Sequence, residues 1–174
     1  MTHPASYHPY AGIGSRETPA HILTIMSDIG QILGNCGYTL RSGAAIGADS
    51  AFEQYLGTIH HREIFLPWSR YNGHPSKFRG PSPEALEMAA SIHPNWAACS
   101  QGARKLHGRN MHIMLGQKLD SPVEFVICWT PDGRASGGTG QALRVAARYH
   151  IPVYNLQHED GRGYVEHLYR LMKS

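Results

Sequence analysis

Long apolar runs and paired cysteines are both missing from the 174-residue sequence. No stretch reaches the roughly 18 apolar residues that a membrane-spanning helix needs, and the start of the chain has neither the basic nor the apolar segment of a secretory leader. The three cysteines, Cys36, Cys99 and Cys128, form no Cys-x-x-Cys pair, so neither a disulfide framework nor a structural zinc site is indicated. We therefore expect a cytoplasmic protein with small, buried cysteine side chains.

Charged residues are also few, and several enzyme motifs are absent. Charged residues make up 17% of the chain, the net charge is +3, and no basic run marks a nucleic-acid-binding arm. The sequence has no Walker A motif and no Gly-x-Ser-x-Gly elbow, which argues against phosphoryl transfer from ATP and against serine-hydrolase chemistry. The 12 histidines include no His-x-x-x-His pair and no carboxylate-supported set, so their spacing predicts no metal site.

Instead, 19 glycines and 11 prolines punctuate alternating strand and helix patterns. Apolar runs predict strands at 10–13, 38–41, 63–67, 123–129 and 151–156. Periodicity and caps, with Thr18 as the first N-cap, predict helices at 19–35, 50–56, 83–92, 101–115, 141–149 and 164–172. The long connection 68–83 is predicted to be a functional loop. The fold expected for residues 1–174 is a single α/β domain, Rossmann-like and doubly wound, with a mostly parallel sheet of about five strands and helices on both faces.

Glycine-rich turns follow three of these strands and lead into helices. We call them the first turn (12–16), the second turn (42–49) and the third turn (136–140). Glycine lets the backbone approach a ligand, and the N–H groups of the next helix attract an anion such as phosphate. The predicted ligand-binding residues are Gly14, Ser15, Arg16, Ser42, Gly43, Gly47, Asp49, Ser136, Gly137, Gly138, Thr139 and Gly140. Because parallel strands end at one sheet edge, we expect the turns to form one site.

The first turn is not the dinucleotide fingerprint. Glu17 occupies the third glycine position of G-x-G-x-x-G, and Arg41 stands where an acidic residue should end the second strand. These departures argue against ordinary NAD binding. The turns favour a nucleotide-like ligand with no required cofactor, and the alternative is that the glycines only form short loops.

The motif S-G-x-A-x-G-x-D at 42–49 resembles a turn of the DNA-processing protein A (DprA/Smf) Rossmann domain. The first turn is similar to the opening of that domain and of the wider SLOG superfamily. The third turn is similar to the Gly-Gly-x-Gly element of LOG-type, lysine-decarboxylase-like members. The matches span 10–156 in order, as in a stand-alone core version of the domain. The resemblance implies a homodimer that binds a nucleotide-derived ligand, or single-stranded DNA in DNA processing or recombination.

The sequence departs from the LOG-type phosphoribohydrolases at their catalytic glutamate, whose place is taken by Arg144. A guanidinium cannot replace a carboxylate as acid, base or oxocarbenium stabiliser in glycosidic cleavage. N-glycosidic hydrolase or transferase activity would therefore need Glu17 or Asp49 as the catalytic carboxylate, with Arg16 as its electrostatic partner. Asp49 has two other interpretations, a hydrogen bond to a ribose hydroxyl or a helix cap.

A basic stretch without acidic residues, 88–119, favours an anionic partner. Arg104, Lys105 and Arg109 are candidate anion or DNA contacts, and Lys105, Arg109 and His112 repeat at i, i+4 and i+7 of a predicted helix. The alternative is a solvated helix face. The aromatic residues that are candidates either for stacking a base or for core packing are Trp68, Tyr71, Trp96 and Trp129.

Two functions fit these residues. One is binding of a nucleotide or nucleotide-derived phosphate ligand, with N-glycosidic hydrolase or transferase activity left open. The other is DprA-like binding of single-stranded DNA along the basic helix. DNA affinity should fall steeply with salt because bound counterions are released, whereas a ligand held by backbone N–H groups in a pocket should depend less on salt.

Overall fold

The computed structural model describes residues 7–135 and 137–173. Its strands are β1 (His8–Gly12), β2 (Tyr38–Ser42), β3 (His61–Leu66), β4 (Phe78–Arg79), β5 (Val126–Cys128) and β6 (Val153–Asn155). They form one six-stranded sheet in the order β4-β3-β2-β1-β5-β6, and every neighbouring pair is parallel. The predicted doubly wound, Rossmann-like α/β architecture is therefore confirmed.

Helices cover both faces of the sheet and bury two hydrophobic cores. The helices are α1 (Ala20–Asn35), α2 (Ala48–Glu53), α3 (Pro83–Ile92), α4 (Gln101–Leu115), α5 (Gly137–Arg148) and α6 (Glu159–Lys173). One core contains Met26, Phe52 and Val165 from α1, α2 and α6. The other contains residues of α3, α4 and α5, such as Met114 and Val145. Successive strand residues point into opposite cores, as expected for a sheet covered on both faces.

The direction of strand order reverses between β1 and β5. From β1, the chain builds outward through β2, β3 and β4 on one side and then returns to add β5 and β6 on the other. The register pairs Ala11 with Val126 and Gly12 with Ile127, so the two carboxyl ends lie side by side. In open parallel sheets, ligands bind in the crevice that such a reversal leaves.

Two elements differ from the sequence prediction. The sixth strand, β4, lies inside the connection 68–83, and only two residues pair with β3, so no alternating pattern could reveal it. Helix α5 begins at Gly137 rather than at Gln141, which makes the glycines of the third turn its first helical turn. A Cβ on Gly140 would lie 2.7 Å from the Ala135 carbonyl carbon, so this start requires glycine.

The N-cap of α1 also differs from the prediction. The Thr18 hydroxyl donates to the Ser15 carbonyl oxygen at 2.5 Å instead of capping the helix, and Pro19 takes the cap position. Thr18 therefore stabilises the first turn. Arg41, at the end of β2, is 1% exposed and donates to the carbonyl oxygen of Ser121 at 2.5 Å, with Glu63 as its ion-pair partner. Its role in the structure is to join the sheet to the chain before β5.

No helix in the described part of the chain combines the length and apolar character that crossing a membrane requires.

Candidate functional site

A cavity of about 790 Å³ opens at the carboxyl ends of β1 and β5. The first turn contributes Gly14, Ser15 and Arg16, followed by Glu17, and the start of α5 contributes Gly137, Gly138 and Thr139. Helix α4 forms a wall with Ala103, Leu106, His107, Arg109 and Asn110, and Arg144 projects from α5. The structure thus brings the first and third turns together, at the strand-order reversal.

The first turn is organised by its own hydrogen bonds. The Ser15 N–H donates to the Trp129 carbonyl oxygen at 3.1 Å, and the Glu17 N–H donates to the Ser15 hydroxyl at 3.1 Å. Within the described chain, the N–H groups of Gly14 and Arg16 donate to no other protein group. A Cβ on Gly14 would lie 2.6 Å from that of Ala48, so glycine is required where α2 approaches this turn.

The second turn is directed inward. Its Gly43 and Ala45 N–H groups donate to Asp49 Oδ2 at 2.9 and 3.4 Å, and the Gly47 N–H donates to the Ser50 hydroxyl. The Ser42 hydroxyl donates to the Gly12 carbonyl oxygen. Ser42, Gly43 and Gly47 do not line the cavity, whereas Ala45 and Asp49 do. The expectation that all three turns offer free donors to a ligand does not hold here, because the Asp49 and Ser50 side chains already accept these hydrogen bonds.

The third turn presents the N-terminus of α5 to the cavity. Asn110 Nδ2 donates to the Gly138 carbonyl oxygen at 3.0 Å, which fixes the helix start against α4. A Cβ on Gly138 would meet no atom within 4 Å, so this position faces open space. The first N–H groups of a helix lack partners within the helix and carry its positive dipole end. Gly140 packs behind the helix start rather than in the cavity, and Ser136 lies outside the described residues.

Asp49 lies beside a buried arginine. Arg109 is 6% exposed, and its Nη1 donates to the carbonyl oxygens of Gly43 at 2.5 Å and Phe65 at 3.2 Å. Burial raises the pKa of Asp49 to about 6, although the nearby Arg109 guanidinium and two backbone N–H groups lower it. Arg109 also lies over the ring of Tyr71. Arg109 therefore holds the ends of β2 and β3 in place while lining the cavity.

Positive charge around the cavity comes from arginine rather than from histidine. Burial, and positive charge on the neighbouring Arg144, Arg109 and, when protonated, His93, lower the pKa of His107 to about 4. Burial and Arg144 likewise lower the pKa of His93. Both rings are therefore neutral at pH 7. Arg144 is oriented by Gln141, whose Oε1 accepts from Arg144 Nη2 at 2.8 Å.

The basic residues of α4 do not form one exposed face. Lys105 is exposed, whereas Arg104 lies over the Trp96 ring and donates to the Trp96 carbonyl oxygen. Arg109 and His112 are buried, and His112 Nε2 accepts from the Ser82 N–H. The residues at i, i+4 and i+7 share one side of α4, and this side is exposed at the first of them and buried at the other two.

Of the four aromatic candidates for stacking a base, Tyr71 alone lines the cavity. Trp129 is buried and its Nε1 donates to Gln157 at 3.0 Å, which supports the packing interpretation for this residue. Trp68 lies edge-on to Tyr71, and Trp96 packs against His93. An apolar part of a ligand would instead meet Leu106, together with Ala103 and Pro94.

The structure also brings together three residues that sequence spacing did not identify. One potential ligand atom from each of His93, Cys99 and His107 lies within 4.8 Å of the other two. His93 ends α3, Cys99 precedes the N-cap of α4, and His107 lies on α4, so only the packing of the two helices joins them. The occurrence of all three within the basic stretch was the available signal, but no known ligand spacing connected them. Asn110 was also missed, because it has no motif around it.

Comparison with protein-family models, curated proteins and solved structures finds no match to this chain.

Proposed function

We propose that this protein binds a nucleotide or nucleotide-derived phosphate ligand in the cavity at the carboxyl ends of β1 and β5. The observation that carries the proposal is the position of the α5 N-terminus, which faces this cavity at the strand-order reversal. Such a helix end provides partnerless N–H groups and a positive dipole end for an anion. The reversal of strand order supplies the crevice in which ligands of doubly wound sheets bind.

The side chains at this end of the cavity favour phosphate. Arg16 and Arg144 both line it, and the N–H groups of Gly14 and Arg16 add donors from the opposite turn. A guanidinium can bind two phosphate oxygens at once, which fixes orientation as well as charge. The phosphate is therefore assigned to the space between the first turn and the start of α5.

The remaining cavity suits a sugar and a base. Its volume of about 790 Å³ falls within the roughly 300–1,000 Å³ of small-molecule sites, enough for one nucleotide. Leu106 and Ala103 provide an apolar wall for a base, and Asp49 can accept from a ribose hydroxyl. A polymer would instead need a groove that tracks its backbone, and the basic side chains of α4 do not share one exposed face.

Glycosidic cleavage at this site would use Asp49 rather than Glu17. Asp49 is buried and its pKa is raised to about 6, close to the range in which a carboxyl group exchanges protons at neutral pH. Glu17 is exposed at the cavity edge, without the burial and the backbone hydrogen bonds that hold Asp49 in place. We therefore assign Asp49 to the ribose side of the ligand, as the acid–base group of any hydrolase or transferase reaction.

Thermal unfolding with a panel of ligands tests the proposal. The panel contains mononucleotides, cyclic nucleotides, ADP-ribose-type compounds and single-stranded oligonucleotides, each at low and moderate salt. A ligand at 100 times its dissociation constant adds about 2.7 kcal/mol to the free energy of unfolding. We expect at least one small nucleotide to stabilise the protein at both salt concentrations. Stabilisation by oligonucleotides alone, lost at moderate salt, would overturn the proposal in favour of DNA binding.

A glycine substitution then places the ligand. Gly138→Val adds a side chain in open space at the start of α5, so the fold should tolerate it while the phosphate position is blocked. Gly163→Val is the matched control, because Gly163 lies in α6, outside the cavity, and its Cβ would also meet no atom within 4 Å. Affinity for the stabilising nucleotide should fall at least about tenfold, or 1.4 kcal/mol, in Gly138→Val alone. Equal affinity in both variants would reject this phosphate position.

A further inference from the structure

A cluster of nitrogen and sulfur ligands lies where α3 and α4 meet, at one side of the cavity. The Sγ atom of Cys99 is 3.7 Å from Nε2 and 3.9 Å from Nδ1 of His93. The rings of His93 and His107 have centroids 4.5 Å apart. One potential ligand atom from each of the three residues lies within 4.8 Å of the other two.

These separations are close to those around tetrahedral zinc. With Zn–S near 2.3 Å and Zn–N near 2.0–2.1 Å, a sulfur and a nitrogen ligand lie about 3.6 Å apart. The Cys99–His93 separation of 3.7 Å already matches this spacing. A shift of about 1 Å in the ligand atom of His107 would place the three ligand atoms at three corners of a tetrahedron around the ion.

One ring nitrogen of His107 supplies an independent indication of a ligand. Its Nδ1 is buried and has no hydrogen-bond partner in the described structure. A buried polar atom without a partner costs free energy, and such atoms are uncommon in folded proteins. A bound ion would give this buried ring nitrogen of His107 a partner.

The loop that presents Cys99 is well fixed. Arg104 Nη2 donates to the Trp96 carbonyl oxygen at 3.1 Å. The Ser100 hydroxyl accepts from the Ala103 N–H and caps α4 one residue after Cys99. The cysteine therefore keeps its place against α4 without the ion.

We propose that His93, Cys99 and His107 form a zinc site whose fourth coordination position opens toward the cavity. Thiolate together with imidazole is the ligand set that Zn²⁺ prefers, and three protein ligands with one open position are typical of zinc sites that bind a further molecule. His93 and His107 line the cavity whereas Cys99 does not, so the open position faces the cavity side. The site does not depend on nucleotide binding.

Each proton on the Cys99 and His93 side chains can be accounted for when zinc binds. Cys99 Sγ lies 3.6 Å from the Asn95 carbonyl oxygen, to which the thiol can donate, and zinc displaces that proton to leave a thiolate. Zinc at His93 Nε2 places the ring proton on Nδ1. Because a protonated Nδ1 cannot accept, the hydrogen bond from the Asn95 N–H to Nδ1 opens. One proton is released for each ion bound. The thiolate charge also offsets repulsion of the ion by the nearby Arg144.

Titration of the reduced, untagged protein with Co²⁺, followed by competition with Zn²⁺, tests the site. We expect one Co²⁺ per chain, a thiolate-to-cobalt charge-transfer band, tetrahedral visible bands and displacement by Zn²⁺. Cys99→Ser should abolish the charge-transfer band and weaken Zn²⁺ binding by more than about tenfold, because substitutions that only support a ligand already cost 10–100-fold. His107→Gln should weaken Zn²⁺ binding in the same way.

The matched control is Cys36→Ser, since Cys36, contrary to the expectation of buried cysteines, is exposed; it lies at the other end of the sheet, where α1 leads into β2. This variant should retain both the band and the affinity. The absence of a thiolate band in the wild-type protein, its loss in Cys36→Ser or unchanged zinc affinity in Cys99→Ser would each overturn the proposal. Thermal unfolding without metal shows whether each variant is folded, and the zinc result stands whether or not any nucleotide binds.

Discussion

At the scale of single residues, Asp49 connects the stability of the second turn to the chemistry of the cavity. Its Oδ2 accepts from the Gly43 and Ala45 N–H groups, and the residue as a whole is 4% exposed. The same side chain lines the cavity. The helix-cap interpretation of Asp49 is wrong, because Gly47 is the N-cap of α2 and Asp49 accepts from N–H groups that precede the helix. Its inward hydrogen bonds fix the second turn while the side chain remains at the cavity surface.

The raised pKa of Asp49 predicts a pH-dependent cost to stability. Its pKa rises from 3.8 in the unfolded chain to about 6 in the fold, so the native state binds more protons between these values. The contribution of Asp49 to the free energy of unfolding therefore falls as pH rises from about 4 to about 6. Asp49→Asn removes this change, and the stability of the variant relative to wild type should increase by on the order of 3 kcal/mol between about pH 4 and pH 7.

Urea unfolding of both proteins across this pH range measures the difference. His93 and His107, whose pKa values are lowered, contribute an opposite slope, because the unfolded chain binds more protons there as the pH falls. That slope is common to both proteins and cancels in the difference. A stability difference that does not change with pH would contradict the burial of an ionised Asp49 at neutral pH.

At the scale of elements, α4 joins the site to the sheet through Arg109. The Arg109 guanidinium reaches the carbonyl oxygens of Gly43 after β2 and Phe65 in β3. A Cβ on Gly43 would lie 2.4 Å from Arg109 Nη1, so this glycine makes room for the guanidinium. Packing against α4 therefore explains why residue 43 is a glycine.

Removing the cation should destabilise the fold strongly. Arg109→Met keeps much of the side-chain volume but leaves two carbonyl oxygens unpaired and Asp49 without a nearby cation. We expect a loss of about 3–5 kcal/mol in the free energy of unfolding at neutral pH, measured by urea denaturation. The exposed control Lys105→Met should change stability by no more than about 0.5 kcal/mol. Adding Asp49→Asn to Arg109→Met should recover part of the loss, and strictly additive losses would show that the two residues are not coupled.

The elements that the sequence predicted are those whose signals are local. The Ser82 and Ser100 hydroxyls accept from the N–H groups three residues on and start α3 and α4 at the predicted residues. The two-residue β4 and the start of α5 depend on other parts of the chain, namely pairing with β3 and the hydrogen bond from Asn110 in α4 to the Gly138 carbonyl oxygen. Neither contact leaves a periodic pattern, so these boundaries could not be predicted from the sequence.

The sequence likewise predicts one part of the candidate site, its turns, but not the arrangement of its side chains. The first and third turns were placed at one cavity because glycine-rich turns after parallel strands meet at one sheet edge. The inward hydrogen bonds of the second turn and the burial of Arg109 depend on how side chains pack between α4 and the sheet. The meeting of His93, Cys99 and His107 depends on the packing of α3 against α4. Motif spacing carries no information about either arrangement.

At the scale of the whole molecule, the parallel sheet gathers the helix N-termini and loops at one edge and buries a core on each face. Both cores support the strands whose carboxyl ends frame the cavity. Arg16, Arg109 and Arg144 outnumber the carboxylates Glu17 and Asp49 among the cavity residues. This surplus of positive charge favours an anion in the cavity.

The most direct test of this account is a backbone-amide chemical-shift titration with the nucleotide that most raises the unfolding temperature. Measurements at moderate salt suppress non-specific contacts with exposed cations. We predict that the largest shift changes fall on Gly14 and Arg16 and on residues 137–139, where the phosphate is placed. Changes confined to the exposed surface around Lys105, or no change with any nucleotide of the panel, would contradict nucleotide binding in this cavity.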